Sequence, residues 1–277
     1  MRFGLSTAPQ NCTWDEVLRI WKAADDLEVF ESAWTFDHFY PLFSDPSGPC
    51  MEGWITLAAL AQATRRLRAG VMVTGMVYRH PAVLANMVAS LDIVSNGRLE
   101  LGLGAGWNEE ECDAYGIELG TLTERFDRLE EGIEVIHGLL TQPTTTFHGR
   151  YFDITDAYCE PKSLQEPHPP IVIGGIGERR TIPMAAKWAD HWNAARPATV
   201  DEFSHKLGVL RRCCEQIGRD PAEITVSAFT TSREPGAVAE QAAELAEAGA
   251  DMCIVRPEDF DVGQLEAMAS ALEPLLG

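Results

Sequence analysis

Three short stretches bring together residue types that can do chemistry. The first is Asp37-His38. An imidazole titrates near neutral pH, so His38 can hold or move a proton, and Asp37 is the adjacent carboxylate available to orient it. Neighbours on a strand face opposite ways, which counts against that pairing and leaves open a His38 that is only a satisfied polar residue. The second stretch is Leu103-Gly104-Ala105-Gly106-Trp107-Asn108. Glycines here let backbone N–H groups approach phosphate oxygens, and a helix beginning over 108–111 turns its positive end towards an anion. The competing reading is a strand end that needs small residues for a tight turn. The third is Gly174-Gly175-Ile176-Gly177-Glu178-Arg179-Arg180, a glycine nest followed by two arginines, which suits a phosphate or another acidic group.

Other chemistries lack their residues. Counting from Gly102 or Gly104, a dinucleotide fingerprint needs a third glycine where Trp107 or Glu109 stands. No HxH, HExxH or His/Cys pair at zinc spacing occurs, so no metal site is expected, and GxSxG is absent. Glu109, Glu110 and Glu111 read as first-turn acids matched to a helix dipole. The seven cysteines are scattered without a CxxC pair, as expected of reduced thiols in a cytoplasmic protein.

The elements that must position these stretches alternate almost without a break. Residues 67–73 form an apolar, β-branched run and Leu99–Gly104 a second one. Between them Val83, Leu84, Met87, Val88, Leu91 and Val94 recur at helical spacing, opened by Pro81 and closed by Asn96-Gly97. This is a βαβ unit with parallel strands, whose glycine-bearing carboxyl end is where ligands collect in parallel α/β folds. Further strands are predicted at 2–7, 32–36, 171–173, 191–193, 224–228 and 252–255, each followed by a helix, the last over 265–276. Eight strand–helix pairs in one chain predict an α/β fold, a (β/α)8 TIM barrel, with a doubly wound open sheet as the alternative. Residues 142–170 interrupt the alternation after the fourth βα unit, with a small hairpin over 147–152 and a proline-bearing loop. They read as an insertion over a site within one domain, 1–277.

A net charge of −20 over 277 residues argues against nucleic acid or an anionic membrane as partner. No run of about 18 apolar residues occurs, and the amino terminus lacks the apolar core of a signal peptide.

Residues 67–78, Arg79-His80-Pro81, Leu91-Asp92-x-x-Ser95-x-Gly97-Arg98 and Leu101-Gly102-x-Gly104-x-Gly106-Trp107 resemble the bacterial luciferase-like superfamily. Within it they resemble the branch that uses the deazaflavin coenzyme F420. Asp37-His38, Ile173-Gly174-Gly175 and Ala189-Asp190-x-Trp192-Asn193 fit the same pattern. The resemblance implies a TIM barrel with a flavin or deazaflavin at the carboxyl ends of the strands. It implies a non-proline cis peptide at Met72-Val73, followed by Thr74, in a bulge that supports the ring. The phosphate site carries over to Gly104, Ala105, Gly106 and Asn108 on one side and to Gly174, Gly175, Ile176 and Gly177 on the other. His38 is placed at the reactive ring face, with Asp37 beside the cofactor, and residues 142–170 help to cover the site. A homodimer is implied as well. Two positions depart from the pattern: His191 stands where glycine is common, which would alter the site's wall, and Met76-Val77 where proline is frequent.

These features predict an F420-dependent oxidoreductase acting on a small organic substrate, with Arg179 and its neighbour Arg180 near the acidic tail of the cofactor. An FMN-dependent monooxygenase on the same barrel is the alternative. A non-catalytic flavin or deazaflavin binder is the alternative of another class.

Overall fold

The computed structural model describes residues 1–195 and 199–276. In chain order, β1 (Arg2–Ser6), α1 (Trp14–Asp26), β2 (Phe30–Thr35), α2 (Gly53–Ala63), β3 (Arg68–Val71), β4 (Thr74–Gly75), α3 (Pro81–Val94) and β5 (Leu99–Gly104) form the first half. Then come α4 (Glu109–Tyr115), α5 (Leu122–Thr141), the hairpin β6 (Thr145–His148) and β7 (Asp153–Ala157), and β8 (Ile171–Gly174). The chain continues with α6 (Thr181–Trp188), β9 (His191–Asn193), α7 (Val200–Ile217), β10 (Thr225–Phe229), α8 (Pro235–Glu247), β11 (Met252–Val255) and α9 (Val262–Leu272).

The strands pair in parallel in the order β3-β2-β1-β11-β10-β9-β8-β5, and β3 pairs with β5, which closes an eight-stranded barrel. The open-sheet alternative is thereby excluded. Local chemistry sets most boundaries. Thr13 with Glu16 and Thr121 with Glu124 form capping boxes at the starts of α1 and α5. Pro81 occupies the first turn of α3, and Asn96 and Gly97 leave it with φ of 59° and 74°.

Two predicted elements differ. The run over 67–73 does not form one strand: β3 stops at Val71, the Met72–Val73 peptide is cis, and β4 resumes at Thr74. The last helix begins at Val262, where Asp261 accepts from the Gln264 N–H, and ends at Leu272 because Pro274 offers no donor for another α-turn.

Side-chain alternation divides the barrel into a helix-facing core and a lumen. Trp34, Val172, Met252 and Ile254 fill the lumen, with Met72 and Phe229 packed against them. Trp34 needs space, and Gly70 supplies it, since a Cβ there would lie 2.5 Å from the indole ring. At the amino mouth, a cavity of about 370 Å³ is lined by Arg68, Glu100 and His191 among others. His191 Nε2 lies 2.6 Å from Ser227 Oγ and its Nδ1 3.1 Å from Glu100 Oε2, while Arg68 donates to the other oxygen of Glu100. His191 is therefore a buried polar filler of the lumen at the mouth away from the glycine-rich turns. It forms no wall of a site at the carboxyl rim, which corrects the expectation above.

Candidate functional site

The side chain of His38 sits at the carboxyl end of β2, in phase with lumen-facing Trp34, and Asp37 is out of phase with it. The two consequently have different partners. His38 Nδ1 is 2.8 Å from Glu111 Oε2. Glu111 also accepts from the Tyr78 hydroxyl at 2.8 Å and from the Phe39 N–H at 2.6 Å. Burial pushes the Glu111 carboxyl up, but the hydrogen bonds from His38, Phe39 and Tyr78 outweigh it and hold the group below its ordinary value. A carboxylate only accepts, so Nδ1 carries the proton in the neutral ring and Nε2 keeps its lone pair.

Asp37 does not orient His38. Its carboxylate pairs with both terminal nitrogens of Arg79, which also pairs with Glu52. Burial pushes Asp37 up, with Arg79 opposing. Asp37 has no exposed surface, and neither has Thr74, whose Oγ1 accepts from the Trp54 indole N–H. Both residues lie behind the wall of the site, bonded to protein, and neither presents an atom to a ligand there.

The two glycine turns occupy neighbouring strands. β5 and β8 pair with Leu103 opposite Ile173, so Gly104 and Gly174 leave the sheet side by side at one rim. Their glycines serve two purposes. A Cβ on Gly104 or Gly174 would come within 2.7 or 3.0 Å of the Val73 side chain, so these positions are bare because Val73 fills the space above them. Gly106 and Gly175 have φ of 83° and 126°, conformations that turn successive N–H groups outward. Among the described residues, the N–H groups of Ala105, Gly106, Ile176 and Gly177 meet no backbone acceptor. Four unspent donors on adjacent strand ends fit the oxygens of a phosphate.

Asn108 is the N-cap of α4, and its Oδ1 accepts from the Glu111 N–H. Arg180 is engaged by Asp127, whereas Arg179 is exposed and makes no ion pair among the described residues. Beyond His38 the rim is aromatic: Trp107 packs edge-on to its ring, and Phe43 stacks on Trp107. The structure thus brings His38, Val73, Gly104, Ala105, Gly106, Asn108, Gly174, Gly175, Ile176, Gly177 and Arg179 to one rim. Met72 joins the lumen packing beneath them.

Sequence reasoning missed Glu111 and Tyr78. Glu111 holds the third position of α4, where a glutamate ordinarily reaches back to its own N-cap, which is why it reads as a helix acid. Its complete burial is the departure, and that belongs to packing.

The class that these features define is a closed parallel α/β barrel with a histidine–carboxylate pair and two glycine turns at its carboxyl rim. Residues 1–251 match the model of the luciferase-like monooxygenase family, and the chain belongs to that family. It is 34% identical over 198 residues to an F420-dependent hydroxymycolic acid dehydrogenase of Mycobacterium tuberculosis, covering 70% of this chain and 52% of that one. It is 31% identical over 154 residues to an FMNH(2)-dependent dimethylsulfone monooxygenase of Pseudomonas putida, covering 56% of this chain and 42% of that one. These matches span about half the length of either relative. The fold is similar to that of an F420-dependent secondary alcohol dehydrogenase in complex with an F420-acetone adduct. The TM-score is 0.89 at 17% identity, covering 100% of this chain and 99% of that one.

Proposed function

We propose that this protein is an oxidoreductase that uses coenzyme F420 for hydride transfer to or from a small organic substrate. The observation that carries the reading is the sharing of one rim by the unspent N–H donors of Ala105, Gly106, Ile176 and Gly177 and the His38–Glu111 pair. The similarity to an F420-dependent dehydrogenase supports it. Ala105, Gly106, Ile176 and Gly177 would hold the cofactor's phosphate through their backbone N–H groups, and Val73 would support its ring. Arg179, exposed and without a carboxylate partner among the described residues, would meet the acidic tail of the cofactor. When bound, the deazaflavin supplies the hydride donor or acceptor.

The chain's own part is proton management and exclusion of water. His38 Nε2 takes the proton from a substrate hydroxyl, or returns it to a forming one, within hydrogen-bond reach. Glu111 stabilises the imidazolium so formed, and Tyr78 and the Phe39 N–H keep that carboxylate ionised and oriented. Phe36, Tyr78 and Trp107 pack edge-on against the ring of His38 and shield it. A carboxylate-backed histidine at the rim favours an enzyme over a non-catalytic binder.

An FMN-dependent monooxygenase is the second reading, supported by the similarity to a sulfone monooxygenase. Equilibrium titration with F420 and with FMN decides between them. Tight F420 binding and weak FMN binding are expected, and the reverse order overturns the assignment. The same reading includes a single barrel domain over 1–277, a cytoplasmic location and a homodimer. The unpaired thiols support the location. Ile55 and Val83, exposed on the neighbouring helices α2 and α3, support self-association. No helix among the described residues is long and apolar enough to cross a membrane.

A further inference from the structure

Among the described residues, the carboxyl rim carries an arginine, Arg256, that the assigned site does not use and that no acidic group pairs. Arg256 follows β11 and is in phase with Met252 and Ile254, which fill the lumen, so its side chain turns into the mouth of the barrel. Its guanidinium lies 5.4 Å from the centre of the Phe229 ring, which shields one face. Its Nε is buried with no hydrogen-bond partner, and it makes no ion pair among the described residues. That is unusual in a chain of net charge −20. Among the described residues, the other rim arginines except Arg179 have an acceptor: Arg79 has Asp37 and Glu52, Arg125 the Gly106 carbonyl, Arg180 Asp127 and Arg233 Glu258. A half-buried guanidinium left unpaired has given up hydration without compensation, and an anion would restore it.

Position around the ring decides which anion. Going round the barrel, β11 is three strands from β8 and four from β5, on the far side from the phosphate nest. It is two strands from β2, which carries His38; at roughly 4.8 Å per strand that is about 10 Å. Arg256 therefore faces the reacting end of the mouth and not the cofactor's phosphate. We infer that Arg256 is an anion subsite for the substrate: it binds a carboxylate or phosphate group of the molecule whose hydroxyl or carbonyl oxygen meets His38. This rests on the oxidoreductase reading for the word substrate, but the anion preference of Arg256 does not.

The test compares 4-oxopentanoate with 2-pentanone, two methyl ketones with the same carbon count that differ in the carboxylate. Equilibrium titrations use the F420-loaded chain, with inorganic phosphate as a third probe. The wild type should bind 4-oxopentanoate at least about tenfold more tightly than 2-pentanone. Arg256→Met should bind the two alike, and Arg256→Lys should fall between, with F420 affinity unchanged in both variants. Phosphate binding more tightly than 4-oxopentanoate, and only when Arg256 is present, assigns a phosphate; the reverse order assigns a carboxylate. Equal affinities in the wild type overturn the inference. So does an Arg256→Met variant that weakens both ketones equally, or one whose main loss is F420 affinity. If F420 itself does not bind, the proposed function fails, and the same titrations on the cofactor-free chain still read the anion preference.

Discussion

Nδ1 of His38 and Oε2 of Glu111 lie 2.8 Å apart although 73 positions separate the residues. The contact joins the loop after β2 to the first turn of α4, so the proton-handling group is assembled from two strand ends that the barrel brings together. It also leaves Nε2 as the ring atom with a free lone pair.

Replacing either partner should therefore affect turnover more than cofactor binding. We expect His38→Asn to lower kcat by about 10²-fold or more, and Glu111→Gln to lower it by roughly 10-fold to 10²-fold. F420 affinity, measured by fluorescence titration, should stay within about threefold in both. Parallel loss of affinity and turnover would place His38 in cofactor binding instead.

The same carboxylate makes a pH-dependent contribution to stability. The Glu111 group sits below its ordinary value of 4.5 in the folded state, so the folded form favours ionisation more than the unfolded chain does. Its stabilisation is present in full above that ordinary value and fades as pH falls through the depressed folded value. The melting-temperature gap between wild type and Glu111→Gln should accordingly be widest near pH 7 and narrow towards pH 3.

Val73 and Gly104 offer a packing test of the nest. A methyl on Gly104 would lie 2.7 Å from Val73 Cγ2, so Gly104→Ala should cost about 1–3 kcal/mol. Adding Val73→Ala should recover much of that loss in a urea melt. An additive double variant would mean that Gly104 is bare for another reason.

Arg79 holds together two carboxylates, one of them with no exposed surface. Arg79→Met leaves Asp37 buried and unpaired, and should destabilise the fold by about 3 kcal/mol. The additional variant Asp37→Asn should restore part of it. A marginal effect in chemical denaturation would show that Asp37 is protonated or hydrated in the folded chain.

His191→Ala should cost stability, about 1–2 kcal/mol for a buried hydrogen-bonded group, and leave F420 affinity and KM unchanged. Its partners Glu100 and Ser227 are at the amino mouth and mid-lumen, away from the rim. A change in substrate preference would return His191 to the site's wall.

The barrel was legible in the order of the residues because each strand and helix announces itself locally: apolar runs of strand length, capping residues at Thr13 and Thr121, and Asn96-Gly97 closing α3. The glycine turns were equally plain, but the reason for them was mixed. Gly106 and Gly175 are required by backbone angles, which short-range chemistry announces, whereas Gly104 and Gly174 yield to Val73 from another strand.

The chain's linear order determined its element succession, its family pattern and the presence of a histidine and two glycine turns at strand ends, since these depend on period and neighbouring residues. Only the tertiary structure decided which carboxylate serves His38, that Asp37 and Thr74 are sealed behind the wall, and that Arg256 faces the mouth opposite the nest. Those outcomes depend on barrel closure and on which side of each strand a residue faces at its end. Both arise from contacts between residues tens of positions apart.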